Sequence, residues 1–164
     1  MTLEEEFLQA YDNYADAIFR HCYYRLFDRE RAKDVMQDTF LRAWEYLGKD
    51  NKVDNMRALL YRIANNLIID FVRKKKETSL DAMQEEGFDP ATDDDMSTIA
   101  NRMDGAEAMK ALQQLDDGHR DVLVMRYVNG LEPAEIAEIL EETPNAVSVR
   151  IHRGLEKLRT FVKK

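Results

Sequence analysis

Apolar residues recur at helical spacing along most of the chain, with no strand-like alternation of useful length, which predicts an all-α fold. Phe7, Tyr11, Tyr14, Ile18, Phe19 and Cys22 form a first stripe. Asp28 can cap a second helix whose inward face is Ala32, Val35, Met36, Phe40, Ala43, Trp44 and Leu47. The polar, turn-rich stretch 48–55 ends that pattern. A long apolar helix then carries Leu59, Leu60, Ile63, Ala64, Leu67, Ile68, Phe71 and Val72, and finishes in the basic run Arg73-Lys-Lys-Lys76. A helix dipole favours cations at that end, so the run alone needs no ligand. The other side of the long helix, with Arg57, Tyr61, Arg62, Asn65, Asn66 and Asp70, mixes cations, an aromatic and amides. Such a mixture suits single-stranded nucleic acid, although each residue taken singly also reads as ordinary surface.

Two short stripes close the chain. Ile136, Ala137, Ile139 and Leu140 form one; Val147, Ile151, Leu155 and Leu158 form the other, after a short break. Thr143 is placed as N-cap and Pro144 at the first helical position, so a helix-turn-helix is predicted. Pairs of amphipathic helices also occur in bundles that never touch nucleic acid. Charge favours the nucleic-acid reading, because 144–164 holds six Lys or Arg against Glu156 alone. The outer face, with Asn145, Ser148, Arg150, Arg153, Lys157 and Arg159, suits phosphates and base edges.

The net charge of −8 over 164 residues argues against binding to a polyanion, until its distribution is considered. Nine acids and one base, Arg102, lie between Glu77 and Asp104, and this segment carries the whole net charge. It reads as an acidic flexible linker, either a plain tether or a mimic of nucleic acid. The chain therefore divides into two small helical domains, 1–76 and 105–164, joined by 77–104. One cysteine, Cys22, provides no internal disulfide and fits a reducing cytoplasm. No apolar run has the length of a membrane span, and the acidic start is unlike a signal peptide, so a cytoplasmic protein without membrane insertion is expected. His21, His119 and His152 are scattered, with no metal-ligand spacing or glycine-rich phosphate loop. No catalytic residue, metal or cofactor is expected, and the histidines read as surface or boundary residues.

Ala32-Lys-Asp34-Val-Met-Gln37-Asp38-Thr-Phe40-Leu-Arg-Ala-Trp44, followed by Leu60-Tyr61-Arg62-Ile63-Ala64-Asn65-Asn66-Leu67-Ile-Ile-Asp70, resembles the second conserved region of bacterial sigma factors. The tail resembles the fourth. With only these regions and a linker, the chain is similar to the extracytoplasmic-function (ECF) group of the sigma-70 family. The resemblance implies a non-catalytic initiation subunit that directs core RNA polymerase to promoters and promotes strand opening. It implies that Asp34, Gln37, Asp38, Phe40 and Arg42 dock on core polymerase. Arg57, Tyr61, Arg62, Asn65, Asn66 and Arg73, with the loop 48–55, would take the non-template single strand of the minus-ten element. Asn145, Ala146, Ser148, Val149, Arg150 and Arg153 would read the minus-thirty-five duplex. An anti-sigma factor is a further partner of the kind the family uses. The linker would run through the polymerase RNA channel, where Asp93, Asp94 and Asp95 would compete with nascent transcript.

The chain departs from the family pattern at three places. Leu59 stands where many members carry Trp, Glu141 stands at the usual glycine of the turn, and Ser148-Val149 replaces a frequent Lys-Ser pair. A turn that needs positive φ would be strained at Glu141, so a different turn geometry is expected. A free-standing repressor would need a dimer interface for two half-sites, and no third helix is offered for one. An RNA-binding adaptor would use the same long-helix face without polymerase.

Overall fold

The computed structural model describes residues 2–79 and 105–162, which form helices and short connections with no strand among them. Helix α1 (Leu3–Leu26) starts on a capping box: Thr2 accepts from the Glu5 amide while Glu5 accepts from the Thr2 amide. Phe27 ends it in the left-handed region at φ 57°. Helix α2 (Arg29–Gly48) starts as expected on Asp28, which accepts from the Arg31 amide at 3.1 Å. Helix α3 (Met56–Ser79) starts where Asn55 accepts from the Ala58 amide at 3.1 Å. Ile18, Cys22, Ala32, Phe40, Ala43, Leu60, Ala64 and Ile68 are the buried centre of this three-helix unit. Tyr11 and Trp44, assigned to inward stripes, are each 38% exposed, because they line an open groove between α1 and α2.

The second unit comprises α4 (Gly105–Gln114), α5 (Asp117–Leu123), which runs on into a π-helical turn (Val124–Val128), α6 (Pro133–Leu140) and α7 (Pro144–Val162). Arg120 ties off α4 by donating to the carbonyls of Leu112, Gln113 and Leu115. Gly154 lets α7 approach α5 closely, since a Cβ there would meet Leu123 Cγ at 3.3 Å. Thr143 caps α7 by accepting from the Ala146 amide at 3.1 Å, and Pro144 takes the first helical position. Glu141 adopts the left-handed conformation at φ 59°, with the Glu142 amide donating to the Ala137 carbonyl at 3.0 Å. The expected change of turn geometry is therefore not found. Glu141 accepts the strain that a glycine would avoid.

The two units pack on each other, α3 against α6 and α1 against α5 and the π-helical turn. Most of the acidic segment, residues 80–104 with Asp93, Asp94 and Asp95, lies outside the described residues. Among the described residues no helix is long and apolar enough to cross a membrane.

Candidate nucleic-acid interface

The outer side of α7 carries the clearest site geometry. Val147 and Ile151 point into the core, as a stripe with spacing i, i+4 should. Asn145, Ala146, Ser148, Val149 and Arg153 are consequently exposed. Arg150 is half-buried and forms an ion pair with Glu142. Lys157 Nζ lies 3.4 Å from Asp116 Oδ1. Burial would raise the Asp116 carboxyl, but its hydrogen bonds with His119 and that residue's charge outweigh this and hold it at about 2.

Helix α3 presents a different picture. Asn66 and Arg73 are exposed, with Arg73 paired to Asp70 on its own helix. Tyr61 and Asn65, assigned to the outward side, are buried at 1% and 4% exposure. Tyr61 meets the His21 ring of α1 and Asn65 accepts from Arg25 of α1, while the second unit also packs on α3. Arg25 Nη1, itself fully buried, donates to Asn65 Oδ1 at 2.7 Å and to Asp121 Oδ1 at 3.0 Å, while Nη2 meets the Asp117 carboxylate at 3.0 Å. Arg57 Nη1 donates to Glu135 Oε2 at 3.2 Å, Arg62 Nη2 to the Glu138 carbonyl at 2.9 Å, and Asn55 Nδ2 to Glu138 Oε1 at 3.4 Å. Four of the six α3 residues assigned to single-strand binding are therefore buried or bonded at the junction of the two units.

Electrostatics at the junction follow from its dryness. Burial pushes the Tyr61 hydroxyl up to about 12. Burial likewise raises the Asp121 carboxyl against the opposing pull of Arg25. His21, expected near the surface, is fully buried; it donates from Nδ1 to Asn129 Oδ1 at 3.2 Å and meets the Tyr61 ring edge-on at 5.3 Å. Burial, helped by the charge of Arg25, lowers its imidazole to about 3. Asn129 Nδ2 donates to the Ala17 carbonyl at 3.1 Å, so the π-helical turn is pinned to α1. None of Arg25, Asp117, Asp121, His21 or Asn129 stood out in the sequence. The available signal was Arg25 falling in register with Ile18 and Cys22, a cation on an apolar stripe.

A third surface lies between α1 and α2. Asp34, Gln37 and Arg42 are exposed and Asp38 is half-buried, with Arg42 Nε 3.4 Å from Asp38 Oδ2. Phe40 is not on this surface but beneath it, edge-on to Phe7 and Tyr11 at 6.2 and 4.8 Å. Its place four residues after Met36 and three before Ala43, on the inward helical register, forces that position. Leu8, Tyr11, Leu41 and Trp44 line a shallow groove of about 390 Å³ beside Gln37. Among the described residues no cluster of His, Cys, Asp or Glu is placed to hold a metal ion.

Residues 10–78 match the sigma-70 region 2 family and residues 106–158 match sigma-70 region 4. The ECF RNA polymerase sigma factor SigW of Bacillus subtilis is 34% identical over 167 residues, covering 95% of this chain and 88% of that protein. The chain belongs to the ECF sigma factors. The RNA polymerase sigma factor YlaC of Bacillus subtilis is also similar, at 30% identity over 91% of this chain and 87% of that one. The fold matches that of the sigma factor RpoE in its complex with the anti-sigma factor NepR from Bartonella quintana, with a TM-score of 0.76, 20% identity, and coverage of 97% and 98% of the two chains. It also matches CnrH in complex with the cytosolic domain of CnrY, with a TM-score of 0.71, 27% identity, and coverage of 96% and 87%. As an ECF sigma factor the protein directs core RNA polymerase to promoter DNA. Sigma factors are non-catalytic subunits of transcription initiation.

Proposed function

We propose that this sigma factor grips a promoter with two separate faces and docks on polymerase with a third. The observation that carries the reading is the exposed, basic outer side of α7, rigidly presented by the Thr143 cap and by Val147 and Ile151 in the core. Asn145, Ala146, Ser148, Val149, Arg150 and Arg153 read and clamp the minus-thirty-five duplex in its major groove. Asn66 and the loop 48–55, with Arg57, Tyr61, Arg62, Asn65 and Arg73, take bases of the minus-ten non-template strand. Removing a base from the stack costs a few kcal/mol, which stacking and edge hydrogen bonds offset. Binding only the opened strand shifts the melting equilibrium, so no nucleotide hydrolysis by this chain is needed and it acts as a non-enzymatic subunit.

Asp34, Gln37, Asp38 and Arg42, supported from below by Phe40, dock on core polymerase. Paired carboxylates one helical turn apart here serve recognition rather than acid/base chemistry. The segment 77–104 tethers the two domains and lies along a positive channel of the polymerase. The protein acts in the cytoplasm, and an anti-sigma factor completes its set of partners.

Selection of promoter fragments by holoenzyme tests the upstream assignment. Arg150→Ala should lower discrimination at one upstream base by about 1–3 kcal/mol. A loss uniform across sequences would instead make Arg150 a phosphate clamp and remove it from the base-reading set.

A further inference from the structure

The turn that leads into α7 carries an acid that phosphate binding does not explain. Glu142, between α6 and α7, forms an ion pair with Arg150. A carboxylate beside a face that meets a polyanion repels it, so affinity alone would disfavour Glu142 there. Its backbone is firmly placed: the Glu142 amide donates to the Ala137 carbonyl at 3.0 Å, and Thr143 caps α7 immediately after it. Arg150 reaches the turn because helical side chains lean toward the N-terminus of their own helix. The pair is partly shielded from water, with side-chain exposures of 27% for Arg150 and 32% for Glu142. Asp121, whose carboxyl is raised by burial and drawn back by Arg25, also feels Arg150, so a second acid acts on the same guanidinium. A guanidinium offers five N–H donors in a rigid plane. With one edge held by Glu142 the remaining donors keep a fixed aim, whereas an unheld arginine would swing to the nearest phosphate.

We propose that Glu142 is a positioning residue that holds the Arg150 guanidinium toward one base edge of the minus-thirty-five duplex and away from the phosphates, raising sequence discrimination while lowering overall affinity. This rests on the assignment of Arg150 to the upstream element. An acid just before a helix N-terminus also favours the helix through its dipole, but that stabilisation acts on every base position alike.

Selection by holoenzyme from promoter duplexes randomised across the upstream element tests this, with wild type, Arg150→Ala, Glu142→Ala, Glu142→Gln and the double variant Arg150→Ala with Glu142→Ala. Arg150→Ala marks the position that Arg150 reads. Glu142→Ala should flatten the preference at that same position by about tenfold and leave the other positions unchanged. The arginine it frees should turn to a phosphate, so the salt dependence of retention on a fixed duplex should steepen by about one unit of logarithmic slope. Glu142→Gln keeps an oxygen that accepts from Arg150 and loses the charge. It should keep most of the preference while binding every sequence more tightly. Once Arg150 is removed, the Glu142 substitution should change the preference no further. Helical circular dichroism checks each fold, and Glu142→Ser takes the place of Glu142→Ala if that variant does not fold.

A preference unchanged in Glu142→Ala, or flattened alike at every position, overturns the positioning role. So does a loss of preference in Glu142→Gln as complete as in Glu142→Ala, which would leave Glu142 acting by charge alone. The assignment beneath the proposal is read from Arg150→Ala by itself: one flattened position keeps it, and none removes it together with the positioning role. The positioning role can fail while Arg150 remains a base reader.

Discussion

Arg25 of α1 donates to Asp121 of α5 at 3.0 Å, with side-chain exposures of 0% and 7%, a deeply buried charge contact between the two sigma regions. Removing one member of such a pair leaves the other charged and dry, a penalty of about 3–5 kcal/mol in a rigid protein. This chain has a cheaper route, since its domains can separate. Arg25→Ala should therefore replace one cooperative denaturant transition by two, one for each domain, with the domains' own stability little changed. Arg25→Ala combined with Asp121→Ala should lose less than the sum of the single losses, with coupling of about 1–3 kcal/mol. Additive losses within a single transition would show that the pair does not join the domains.

Acid should weaken the closed form through His21. Its ring faces Arg25 on its own helix, Tyr61 on α3 and Asn129 on the π-helical turn, and burial lowers it from 6.5 to about 3. Between those values the open or unfolded chain binds a proton that the closed chain does not. The contribution is therefore fully present above pH 6.5 and declines by about 1.4 kcal/mol per unit as pH falls below that. Denaturation midpoints at neutral pH and one unit below 6.5 should differ more in wild type than in His21→Gln. Asp121, raised by burial, acts in the opposite sense, so only the difference between the two proteins isolates His21. Parallel profiles would show that His21 is not held neutral.

Glu141 occupies the left-handed turn of the helix-turn-helix at φ 59°. Glu141→Gly should stabilise the C-terminal domain by about 1 kcal/mol, net of the greater freedom that glycine has in the unfolded chain. The denaturation midpoint of the chain measures this. A loss of stability would mean that the Glu141 side chain contributes more than its backbone strain.

Features that depend on one helix and its neighbour were legible in the sequence. Asp28 and Thr143 cap α2 and α7 as their positions suggested, and Val147 with Ile151 faces the core at the expected spacing. The contact between domains was not legible. Asp117 and Asp121 look like the solvated side of a short helix, and Arg25, although in register with Ile18 and Cys22, stands in a last turn that favours cations anyway. A buried interdomain charge and a surface charge leave the same mark on a hydrophobic pattern. Tyr61 and Asn65 were read as the outward side of the long helix, yet both are buried, Tyr61 against His21 and Asn65 on Arg25. Phe40 fitted both the inward stripe and the family's docking motif, and its helical register puts it inside.

Runoff transcription with bacterial core polymerase on a pool of genomic fragments, with permanganate mapping of unpaired thymines, tests the central claim most directly. The wild-type chain should produce discrete start sites that core polymerase alone does not, with open thymines at the minus-ten element. Asn66→Ala should keep upstream duplex contacts while losing the open thymines and the transcripts together. Transcripts that do not depend on the chain, or open thymines unchanged in Asn66→Ala, would contradict the account.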